Sequence, residues 1–186
     1  MRLIVGISGA SGVILGVELL RALRAVPEVE THLVISQNAL KTLELETTYR
    51  PEEVTAMASV AYAGNDVAAA IASGSFQTAG MVVVPCSMHS LAAIASGSGD
   101  NLLHRAADVC LKEGRKLVLV PRETPLSRIH LRNLLVAAEA GCVILPPVLT
   151  FYHHPQSIED LIHPVIAKIF MQFGLNYPDF KGWRQE

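Results

Sequence analysis

Charge, cysteine and long apolar runs are all scarce in this sequence. Only 17% of its 186 residues are charged, the formal net charge is −2, and no basic stripe gathers anywhere along it. Nucleic acid is thereby excluded as a main partner, because phosphate backbones are held by clustered Lys and Arg. No stretch reaches the roughly 18 uninterrupted apolar residues of a membrane span. The apolar run at residues 3–7 is too short for a signal-peptide core and has no cleavage pattern behind it. Three cysteines, Cys86, Cys110 and Cys142, are odd in number and far apart. They make no disulfide framework and point to a reduced, cytoplasmic setting. With no repeat, low-complexity tract or linker-like break, the expectation is a single domain over 1–186 with a polar tail from about 176.

Apolar residues, by contrast, are abundant: 51% of the chain, with a mean hydropathy of +0.37. A domain of this size has too little interior for that surplus, so part of it is expected in contacts between copies of the chain. The apolar residues fall into short runs at 2–7, 31–35, 81–84, 116–120 and 143–145. Between them come helical patterns: Val13, Val17 and Leu20 at three- and four-residue steps, a start at Pro51-Glu52-Glu53, segments at 91–94 and 102–112, and a helix over 127–140 stopped by Gly141. A final helix opens with the capping pattern Ser157-Ile158-Glu159-Asp160. Runs apolar on both faces that alternate with helices predict an α/β fold, a doubly wound parallel sheet covered on both sides. Irregular insertions are expected near 64–78 and 146–155.

Such folds bind ligands beyond the carboxyl ends of the strands. Those ends read Gly9-Ala10-Ser11-Gly12, Ser36, Ser87-Met88-His89-Ser90 and Arg122-Glu123. The spacing Gly6-x-x-Gly9-x-x-Gly12 is not the dinucleotide fingerprint, and no Walker lysine follows it. A Gly-rich turn into a helix still offers amide N–H groups and a positive dipole end to an anion, although the same turn also serves structure alone. Two such turns on one rim, together with Arg122, point to a phosphorylated ligand. Other residues read more plainly as structure. Cys86 has no histidine and acid partner and fits a buried thiol. His153 and His154 are adjacent and point apart, with nothing to complete a metal site. Lys112-Glu113 suits a solvated helix end, and Ser73-Gly74-Ser75-Phe76 suits either a turn or a ligand lid.

Taken together, the segments 4–12, 73–76, 85–88, 105–109, 111–113, 121–126, 151–153 and 160–161 resemble the UbiX family of flavin prenyltransferases in order and along almost the whole chain. The likeness leans to the branch that accompanies phenolic-acid and hydroxybenzoate decarboxylases. The resemblance implies a Rossmann-like, flavodoxin-type subunit in a homododecamer. It implies FMN held by Gly9, Ala10, Ser11, Ser36, Ser87, Met88, His89, Ser90 and Arg122. It implies dimethylallyl phosphate held by Lys112, Arg122, Tyr152 and Lys168, with Ser11, Lys112 and Glu123 in catalytic roles and no metal.

The implied reaction joins a dimethylallyl group to N5 and C6 of reduced FMN. Its product, prenylated FMN, would pass to a UbiD-type decarboxylase of aromatic acids. Fixed positive charge at the leaving phosphate suits that chemistry, and Glu123, Ser11 or the released phosphate would take the proton lost at C6. Two departures stand out. Lys168 replaces a common arginine and loses bidentate phosphate binding, and Val67 stands where some members place a tryptophan. The alternatives are an FMN-dependent cysteine-type decarboxylase, whose Pro-x-Met-Asn segment is missing from this chain, and a non-catalytic FMN-binding subunit of a decarboxylase complex.

Overall fold

The computed structural model describes residues 1–178, so the expected polar tail lies mostly outside the described residues, which exclude 179–186. Six strands form one sheet: β1 Arg2–Ile7, β2 Glu30–Ile35, β3 Val60–Tyr62, β4 Gly80–Cys86, β5 Lys116–Pro121 and β6 Val143–Ile144. Every pairing is parallel and the order is β3-β2-β1-β4-β5-β6. The doubly wound α/β expectation is met, in the order of the Rossmann sheet. The helices are α1 Ile14–Arg24, α2 Gln37–Glu46, α3 Pro51–Thr55, α4 Met88–Ser96, α5 Leu102–Lys112, α6 Arg128–Glu139 and α7 Ile158–Gln172, with a 3₁₀ turn at Ala70–Ala72.

Alternation along the strands divides the core into two layers. Leu3, Val5 and Ile7 join Val17 and Leu20 of α1 and Ile166 and Phe170 of α7 on one face. Ile4, Met81 and Val83 join Leu91 of α4 and Leu103 and Ala106 of α5 on the other. Because β1, β4 and β5 are buried on both faces, both sets of side chains must be apolar, which is why these strands read as unbroken runs. Gly16 lets α1 lie directly on the sheet: a Cβ there would stand 2.7 Å from the Val84 carbonyl oxygen.

Two elements, β3 and α2, were not expected from the sequence, and α4 begins at Met88, three residues before the pattern at 91–94. The surplus apolar surface is real. On α6, Ile129, Leu131 and Leu135 are more than half exposed, as are Val148, Leu149 and Phe151 in the insertion after β6. No helix among the described residues is long and apolar enough to cross a membrane.

Candidate active site

In a parallel sheet the strand order reverses at one place, and the loops there part to leave a crevice. Here it lies between β1 and β4. The strand ends beside it are laced together. The buried Ser8 hydroxyl donates to the Pro85 carbonyl at 2.8 Å and accepts the Ser87 amide at 2.7 Å. The Ser36 amide donates to Ile7 O, and the Arg122 amide to Cys86 O. One polar rim thus runs from the end of β2 to the end of β5.

Three helices start on this rim. Ser36, Ser87 and Asn101 cap α2, α4 and α5, their side-chain oxygens accepting the amides of Ala39, Ser90 and His104 at 3.2, 3.2 and 3.0 Å. Each cap satisfies one early amide. The first amide of α5, that of Leu102, is already taken by the Gly64 carbonyl at 2.8 Å, so the amides open to a ligand are the first ones of α2 and α4. The three starts enclose a cavity of about 350 Å³ lined by Gly9, Ser36, Ser87, His89 and Ser90, all expected there, and by Asn38, Asn65, Asn101 and His104, which were not. Its one lining carboxylate, Asp100, is 82% exposed in its side chain. Converging dipoles, hydroxyls and amides in a wall nearly free of negative charge suit a phosphate group.

The remaining expected residues fall in three settings. Ala10 and Ser11 follow Gly9 in the β1–α1 turn, Met88 at the start of α4 packs half-buried against the core, and Arg122 and Glu123 extend exposed from the end of β5. Glu123 Oε1 accepts the Thr124 amide at 2.9 Å. Gly12 corrects the sequence reading: its amide, expected for an anion, donates at 2.7 Å to the carboxylate of Glu46. That negative charge disfavours a phosphate there, and the α2 and α4 starts suit an anion better.

Lys112 is not at this rim. α5 begins beside the cavity and runs back along the sheet, so its last residue, Lys112, lies at the amino edge, where it pairs with Glu113 at 2.5 Å. That contact holds the Glu113 carboxyl below its ordinary range. The 73–76 loop sits over this pair: a Cβ on Gly74 would come within 2.1 Å of Glu113 Oε1. Arg115 donates to the Phe76 carbonyl at 2.8 Å, and Arg105 to that of Ala72 at 3.2 Å. The loop is therefore braced from below rather than hung over the rim. Tyr152 and Lys168 occupy a third place, lining a cavity of about 390 Å³ between Val143 of β6 and Val165 of α7. One chain alone brings Gly9, Ser36, Ser87, His89 and Ser90 of the expected FMN residues into one cavity and leaves the expected donor-phosphate residues dispersed.

All three cysteines are free and buried, a setting that disfavours the thiolate. Burial pushes the thiols of Cys86 and Cys110 up to about 12 and that of Cys142 to about 11. Val67 is 61% exposed on the loop that carries Asn65 into the cavity wall.

Sequence and structure comparisons identify the family and the fold. The Flavoprotein family profile matches residues 1–170. A probable UbiX-like flavin prenyltransferase of Sedimentibacter hydroxybenzoicus is 57% identical over 183 residues, 98% of this chain and 97% of that one. The crystal structure of a dodecameric FMN-dependent UbiX-like decarboxylase from Escherichia coli O157:H7 superposes with a TM-score of 0.97 at 54% identity, covering 100% of both chains. AnUbiX, solved in complex with FMN and dimethylallyl pyrophosphate, gives 0.96 at 51% identity, covering 100% of this chain and 98% of that one. Closeness to those proteins throughout its length, on a fold with a cavity at the switch point that suits a phosphate, places this chain in the flavoprotein family and, within it, among the UbiX-like flavin prenyltransferases.

Proposed function

We propose that this protein transfers a dimethylallyl group from dimethylallyl phosphate to reduced FMN. The observation that carries the reading is the convergence of three capped helix starts on one cavity at the sheet's switch point. Ser36, Ser87, His89 and Ser90 would hold the FMN phosphate there, with Gly9 against it. Ala10, Ser11, Met88 and Arg122 would line the way to the flavin ring. Reduced flavin supplies the nucleophilic N5 and then C6. The chain supplies placement, a water-poor setting and charge for the departing phosphate.

As the allylic carbon–oxygen bond breaks and the carbon joins N5, negative charge gathers on the leaving phosphate. Arg122 answers it from the rim. Lys112, Tyr152 and Lys168 reach the same phosphate only if they come from neighbouring copies, because their own chain holds them at the amino edge and the flank. A homododecamer supplies such neighbours, as the dodecameric E. coli relative illustrates, and the exposed apolar side chains of α6 provide contact surface. Closure of the second bond would consume the remaining allyl double bond, whose inner carbon would take up the proton lost from N5, and C6 would give up its own proton as it joins the tertiary carbon. Glu123, with Ser11 and the released phosphate nearby, would accept or relay that C6 proton. Prenylated FMN would serve a UbiD-type decarboxylase of aromatic acids in the cytoplasm, a setting that the three unpaired, buried thiols suit.

The test is anaerobic incubation with reduced FMN and dimethylallyl phosphate, followed by the mass of the extracted flavin. A flavin heavier by one prenyl unit supports the assignment. Unmodified flavin with both the mono- and the diphosphate donor, alongside a fixed-stoichiometry complex with a decarboxylase, would favour a non-catalytic FMN-binding subunit.

A further inference from the structure

The cavity wall contains a hydrogen-bond chain that the transfer chemistry does not require. It runs Asn101–His104–Ser90–Ser87, and both His104 and Ser90 are only 3% exposed. Asn101 Oδ1 accepts the His104 amide at 3.0 Å, which settles which end of that side chain is oxygen. The group 3.1 Å from His104 Nδ1 is therefore the Asn101 NH₂, a donor only. Nδ1 must meet it with a lone pair, so the neutral ring carries its proton on Nε2, 3.1 Å from Ser90 Oγ. The Ser87 hydroxyl donates to the same oxygen at 3.2 Å. A serine oxygen has two acceptor positions and one proton. Both positions are filled from within the wall, and the proton is left to point into the cavity.

From this we propose that His104 is a positioning residue: by holding Ser90 as a pure donor into the cavity, it selects a fully ionised phosphate ester as ligand. The inference rests on the proposed phosphate role of this cavity and names the residue that sets its preference. Gly99 makes the room, since a Cβ on it would stand 2.2 Å from His104 Cβ. The charged and titratable groups facing His104 are Asp100, whose Oδ1 lies 3.4 Å from Nδ1, and His89, whose ring is 5.8 Å away. Burial holds His104 below the ordinary histidine range; Asp100 opposes that and His89 adds to it. A proton on Nδ1, aimed at Asp100, would face the Asn101 NH₂ donor to donor. An ionised phosphate offers only acceptors, and a charge-assisted bond from Ser90 is stronger than one to a neutral hydroxyl.

The test compares binding of oxidised FMN and of riboflavin, which lacks the phosphate, by quenching of flavin fluorescence. His104→Leu and Ser90→Ala should each weaken FMN by about 5- to 30-fold and leave riboflavin within about twofold, and the double variant should lose no more than Ser90→Ala. His104→Gln puts an amide donor near the place of Nε2 and should keep FMN within about threefold of wild type. If His104→Leu does not fold, His104→Asn, too short to reach Ser90, should show the same selective loss. Unchanged FMN affinity in the Leu or Asn variant, or equal losses for both flavins, overturns the positioning role. Wild-type protein that binds riboflavin as tightly as FMN overturns the phosphate assignment itself.

Discussion

Lys112 and Arg122 stand at opposite edges of the sheet, one just before β5 and the other just after it. The six residues of β5 put roughly 20 Å between them. If both serve one donor phosphate, they come from different copies. Lys112→Ala and Arg122→Ala should each be inactive alone. Dissociated, mixed and reassembled, they should regain activity, up to about a quarter of wild type for random assembly. A mixture as dead as its parts would remove Lys112 from the site.

Glu123 is exposed just past the end of β5, and its carboxylate accepts the Thr124 amide. Glu123→Gln keeps that shape and removes the base. FMN affinity should stay within about twofold while turnover falls by about 100-fold. Normal turnover would exclude Glu123 from proton transfer and leave the released phosphate as acceptor.

Ser8 ties β1 to β4 with a fully buried hydroxyl. Ser8→Ala leaves the Ser87 amide without this partner in a dry setting, at a cost of about 1–3 kcal/mol. For a chain of this size that lowers Tm by about 2–4 °C per kcal/mol. A thermal melt indistinguishable from wild type would show that the rim does not depend on this tie.

Stability should fall on mild acidification. Burial holds His32 and His104 below their ordinary range, against opposing pulls from Glu30 and Asp100. The unfolded chain, titrating near pH 6.5, therefore takes up these protons first. From about pH 7 down toward the folded-state values, stability declines by at most about 1.4 kcal/mol per pH unit for each histidine. The carboxylates with lowered values, Glu30, Glu53, Glu113 and Asp160, act in a separate window below their ordinary 3.8–4.5. Urea midpoints at pH 7.5, 6.5 and 5.5 check this, and His104→Gln should flatten the slope. An unchanged slope in that variant would place the proton uptake elsewhere.

What could be read from the sequence followed burial. β1, β2, β4 and β5 were placed closely because both their faces are enclosed, which forces unbroken apolar runs. β3 is three half-exposed residues, Val60, Ala61 and Tyr62, too short for any period to register. In α2 only Ala39 and Leu43 are buried while Leu45 is 86% exposed, so its stripe is blurred. At the site, Gly9, Ser36, Ser87, His89 and Ser90 were legible because the strand ends name them. Asn101 and His104 enter from the start of α5 instead. Their signal, an Asn just before the apolar pattern at 102–112, was present as a helix cap but gave no direction toward the cavity. The position of Lys112 was also implicit: a helix between parallel strands must run backwards, so its final residue faces away from the ligand rim. The carboxylate on the Gly12 amide was not legible, since it joins residues 34 apart through the loop geometry alone.

The dispersal of Lys112, Arg122 and Tyr152 with Lys168 over three faces of the subunit ties the smallest reactant to quaternary structure. On the proposed arrangement, a donor that only an assembly can grip must tighten that assembly by the same factor, since coupling between two binding equilibria is reciprocal. The flavin phosphate, seated on a single chain, carries no such obligation. Dilution should therefore cost this protein its prenyl donor before its flavin, with the five-carbon ester acting as a reversible rivet between copies.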